Sequence, residues 1–74
     1  MNWIALRRRL TVAEERVGVG ANNVARHRRI VAELERDGHD VTLAKEILAE
    51  LEKAYALQVA ACDRIRRELA ALDR

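Results

Sequence analysis

Apolar positions recur at alternating three- and four-residue steps along almost the whole chain, and this rhythm breaks once. In the first arm the spacing is held by Trp3, Leu6, Leu10, Ala13, Val17, Gly20, Val24, His27, Val31 and Leu34. In the second it is held by Val41, Ala44, Leu48, Leu51, Tyr55, Gln58, Cys62, Ile65, Leu69 and Leu72. A 3-4 repeat sustained for about five heptads keeps one stripe of each helix against a partner helix, as in left-handed coiled coils. Composition agrees: half the residues are apolar, Ala, Leu, Glu and Arg dominate, and proline is absent, which marks long helices rather than sheets.

The break is Asp37-Gly38-His39-Asp40. Gly38 suits the left-handed position that ends a helix, because it has no Cβ to clash there. Asp40 or Thr42 then supplies the capping oxygen for the free N–H groups of the next helix. The expectation is an all-α, antiparallel two-helix hairpin, a single domain over residues 1–74. Its helices run from about Asn2 to Arg36 and from about Val41 to Leu72, with the turn at 37–40. Folding the arms about Gly38 sets Leu34 near Ala44, Val31 near Leu48, Val24 near Tyr55, Val17 near Cys62 and Leu10 near Leu69. Gly20 then falls opposite Gln58 and close to Tyr55, where its missing side chain makes room for theirs. Gly18 and Gly20 each cost a helix about 1 kcal/mol relative to Ala. With Asn22 and Asn23 they make residues 18–23 the weakest stretch of the first helix, the place where a kink or fraying would interrupt it.

Size forces the next step. A chain of 74 residues buries only about 60% of the surface its unfolded form exposes, so such domains lean on disulfides, metals or partners. Cys62 is the only cysteine, which excludes a disulfide within the chain and suits a reducing compartment. Cys62, His27 and His39 lack the paired spacing of a zinc site. Self-association remains, and the flanks of the seam support it. Ile4, Ala21 and Ile30 in the first arm, with Ile47, Ala54, Leu57 and Ala61 in the second, widen the stripe beyond what one facing helix buries. Trp3 reaches past Leu72 at the open end. A homodimeric four-helix bundle satisfies both observations. The residues expected to carry the interface are the seam positions Leu6, Leu10, Val17, Val24, Val31, Leu34, Leu48, Leu51, Tyr55, Ile65 and Leu69, with Trp3 at the dimer end.

Catalytic chemistry finds no footing. His27 stands alone on the seam, without the Glu-x-x-His pairs of a di-iron bundle, and is expected to be a hydrogen-bonded core histidine. His39 lies in the turn. Asp63 beside Cys62 opposes thiolate formation and Arg64 favours it, so Cys62 is read as a small apolar filler. No nucleophile–base set or phosphate-binding loop is present, and two helices offer no enclosed cavity. The expectation is a non-enzyme with no cofactor and no metal.

Twelve of the fourteen basic residues are arginine. Nine of them form three clusters: Arg7, Arg8 and Arg9; Arg26, Arg28 and Arg29; and Arg64, Arg66 and Arg67. Such a stripe can hold phosphates without reading sequence, which makes nucleic-acid binding the second functional reading. Glu14, Glu15, Asp63, Glu68 and Asp73 lie among them, and the net charge is only +2. Stacking aromatics are limited to Trp3 and Tyr55. No apolar run approaches the ~20 residues of a membrane span, and the first ten residues carry their charges after the apolar stretch, the reverse of a secretory signal. A cytoplasmic protein without membrane contact is expected.

The stretch from Arg26 to Leu72 resembles small uncharacterised helical-hairpin proteins of alphaproteobacteria of the rhizobial type. The resemblance is carried by Ala32-Glu-Leu-Glu-Arg-Asp-Gly-His-Asp40, the leucine-rich helix after it, and Asp63-Arg-Ile-Arg-Arg-Glu-Leu69. It implies the hairpin architecture and a bacterial cytoplasm, and no site. By architecture alone the chain is also similar to the Rop protein, a dimer of helical hairpins that binds paired RNA. The functional expectation is therefore a small oligomeric hairpin acting through protein–protein contact. The alternatives are an arginine-based nucleic-acid binder and one component of a hetero-complex, such as an antitoxin or a phage-encoded inhibitor.

Overall fold

The computed structural model describes residues 3–72, and they form two long helices joined by one turn. Helix α1 spans Trp3–Arg36 and α2 spans Thr42–Leu72. The helix start expected at Asn2 lies outside the described residues. The helices pack side by side along their length into a rod of 56 × 15 × 14 Å. That length is what a helix of 34 residues requires at 1.5 Å per residue.

The turn is a Schellman motif. Gly38 sits at φ 78°, the His39 N–H donates to the Leu34 carbonyl at 2.9 Å, and the Gly38 N–H donates to the Glu35 carbonyl at 3.2 Å. Of the two caps the spacing allows, the geometry selects Asp40. Its Oδ1 accepts the Thr42 backbone N–H at 2.9 Å and the Thr42 hydroxyl at 2.8 Å. Thr42 is thus a donor, and the first helical carbonyl belongs to Val41, which accepts from the Lys45 N–H. These two bonds to Asp40, the backbone one first, hold its carboxyl below the ordinary 3.8.

Leu6, Val24 and Val31 of α1 and Cys62 and Ile65 of α2 are buried between the helices. Leu10, Val17, Leu34, Leu48, Leu51, Tyr55 and Leu69 are half-buried along the same seam. Helix α1 runs without a break through residues 18–23, as the continuous first helix of the sequence reading requires. Val17 and Val24 flank the glycines and hold both sides of that stretch to α2. At Gly20 side chains of α2 lie against the α1 backbone. A methyl group there would lie 2.5 Å from Gln58 Oε1 and 3.1 Å from Tyr55 Cδ1.

Candidate functional site

In an α-helix, positions seven apart share a face to within about 20°, so each arm presents two edges beside its seam. On one edge the helices are tied by three ion pairs: Glu14 to Arg66 at 3.1 Å, Arg28 to Glu52 at 2.8 Å, and Glu35 to Lys45 at 3.4 Å. Glu14, Arg28 and Glu35 stand whole heptads apart, as do Lys45, Glu52 and Arg66, so the charges form two facing rows. Arg66 also reaches Asp63, and its pKa is raised chiefly by the hydrogen bond to Glu14. These pairs are exposed to solvent, so their contribution to stability is small. Their consequence is that along this edge six charges, from Glu14 to the turn, are paired across the hairpin.

The opposite edge is different. It carries Val12, Val19 and Ile30 on α1, and Leu43, Ile47 and Leu57 on α2, all of them exposed. Leu57 is 73% accessible, Leu43 68% and Val19 60%, values that a packed coiled-coil flank does not show. Two shallow depressions lie along it. Near the open end of the hairpin, Val12, Ala13, Ala61 and Ile65 floor a groove of about 480 Å³ whose rim is Arg8, Arg9 and Arg16. Near the turn, Leu43, Ile47 and Leu51 form a second, rimmed by Glu46 and Glu50. Ile47, Ala54 and Ala61 fall in one row of α2, which places both depressions on the same edge. Gln58, whose Oε1 is buried without a hydrogen-bond partner, lies between the seam and the first groove.

The expected interface residues thus divide. The seam set from Leu6 to Leu69 packs α1 on α2 within the chain, whereas Trp3 stands 56% exposed at the open end beside exposed Leu72. Of the expected flanking residues, Ile30, Ile47, Ala54, Leu57 and Ala61 belong to the apolar edge, while Ala21 and the exposed Ile4 lie on the ion-paired side. Val12, Val19 and Leu43 were not anticipated. The signal that finds them is a second 3-4 rhythm, offset from the seam: Val12, Arg16, Val19, Asn23, Arg26 and Ile30 on α1, and Leu43, Ile47, Glu50, Ala54, Leu57, Ala61 and Arg64 on α2.

The arginine clusters also divide. Arg28 and Arg66 are held by carboxylates and Arg26 bonds Asn23, while Arg7, Arg8, Arg9, Arg29, Arg64 and Arg67 are exposed. His27 Nδ1 lies 3.0 Å from the Asn23 carbonyl, to which it donates, a bond internal to α1. His39 contributes its backbone N–H to the turn. Cys62 is buried in the seam. Among the described residues no group of three His, Cys, Asp or Glu side chains gathers as metal ligands, and no helix is long and apolar enough to cross a membrane.

Compared with known proteins, the chain matches no family model, no curated protein and no solved structure. The functional reading therefore rests on the surface of the hairpin itself, and on that surface the apolar edge is the feature that folding of one chain leaves unused.

Proposed function

We propose that this chain is a helical-hairpin module that acts through protein–protein contact, beginning with association with itself, and that it performs no catalysis. The observation that carries this reading is the gathering of six exposed apolar side chains, Val12, Val19, Ile30, Leu43, Ile47 and Leu57, on one edge. A quantity supports it. A compact monomer of 8.4 kDa is expected to expose about 4,600 Å², whereas this chain exposes 5771 Å². The excess, about 1,200 Å², exceeds the ~800 Å² that each partner contributes to a standard interface.

Light scattering on nuclease-treated protein across a dilution series tests it. A mass of twice 8.4 kDa that persists on dilution is the expected result. Leu57→Glu, which charges the centre of the apolar edge without touching the seam, should halve that mass while helicity persists. A helical monomer at every concentration removes self-association. It would point instead to a hetero-complex, with the partner to be sought among the products of adjacent genes.

Nucleic-acid binding is the second reading, and the exposed arginines at the open end favour it over any third. It requires retention of RNA or DNA that falls steeply with salt and is lost when Arg7, Arg8 and Arg9 become Glu. Absence of binding at low salt removes it.

A further inference from the structure

We draw no further inference here: the strongest candidate, the apolar edge of the hairpin with the groove that Arg8, Arg9 and Arg16 rim at its open end, carries nothing beyond the association already proposed, because nothing in the structure shows what covers it.

Discussion

Gly18 and Gly20 lie two residues apart in α1 with ordinary helical backbone, and they face different surroundings. A methyl at Gly18 meets nothing within 4 Å, so Gly18→Ala gains the full helix propensity difference, about 1 kcal/mol. In a domain of this size that raises the thermal midpoint by roughly 4–8 °C. Gly20→Ala gains the same propensity, but its methyl would sit 2.5 Å from Gln58 Oε1 and 3.1 Å from Tyr55 Cδ1. The Gln58 amide must leave its pocket and the Tyr55 ring must give by a few tenths of an ångström. Overpacking costs about 1–3 kcal/mol where neighbours cannot move, but Gln58 Oε1 ends a flexible side chain that can, so Gly20→Ala should come out close to neutral, about 1 kcal/mol short of Gly18→Ala. Gln58→Ala removes the closer obstacle together with a buried oxygen that has no partner. In that background Gly20→Ala should recover most of its propensity gain. A double-mutant cycle by thermal unfolding, at one fixed protein concentration, should give a coupling of about 1 kcal/mol or more between positions 20 and 58. If Gly20→Ala alone stabilises as much as Gly18→Ala, the steric account of this contact is wrong.

Three further outcomes follow from the turn and the seam. Gly38→Ala forces a Cβ into left-handed backbone and should cost about 1 kcal/mol, with Gly38→Asn costing less; urea midpoints decide it. Asp40 is held below its ordinary 3.8 by the two Thr42 donors, so its contribution is present at neutral pH and is lost as pH falls through the depressed folded value. The thermal midpoints of the native protein and Asp40→Asn should therefore differ at pH 7 and converge in acid; a gap unchanged in acid would remove the charge from the explanation. Leu51→Asp places a carboxylate on the seam and against the acidic patch, and should cost roughly 3 kcal/mol or more. Unchanged helicity and mass for that variant, by circular dichroism and light scattering, would contradict the packing described here.

The hairpin was legible because its determinants are local and periodic. The 3-4 spacing names the seam, and Gly38 between Asp37 and His39 names the turn. Together they place Gly20 against Gln58 and Tyr55 without any structure. The choice of Asp40 over Thr42 was not legible, because both carry a side-chain oxygen at a plausible offset. Only the backbone path through Val41 decides which one accepts. The weakness read at residues 18–23 followed from intrinsic propensity, which amounts to about 2 kcal/mol over both glycines. Val17 and Val24, packed on α2 at either side, override it.

The least legible feature was the handedness of the flanks. Apolar residues occur on both sides of the seam, and a count of them does not separate the edges. The edges separate through pairings such as Glu14 with Arg66, residues remote in sequence that meet only after the chain reverses. Once those rows are seen as paired, Val12, Val19 and Leu43 stand out on the other side.

The ion-paired edge has a consequence for growth. A rod with apolar flanks on both sides would recruit a neighbour on each, and every recruit would expose a fresh flank, giving ribbons without a natural end. In the self-association proposed above, an edge whose charges are largely paired across the hairpin would leave one side for a neighbour. An assembly built on that side would terminate once it is covered. The three modest salt bridges would then act less as fasteners than as a stop signal.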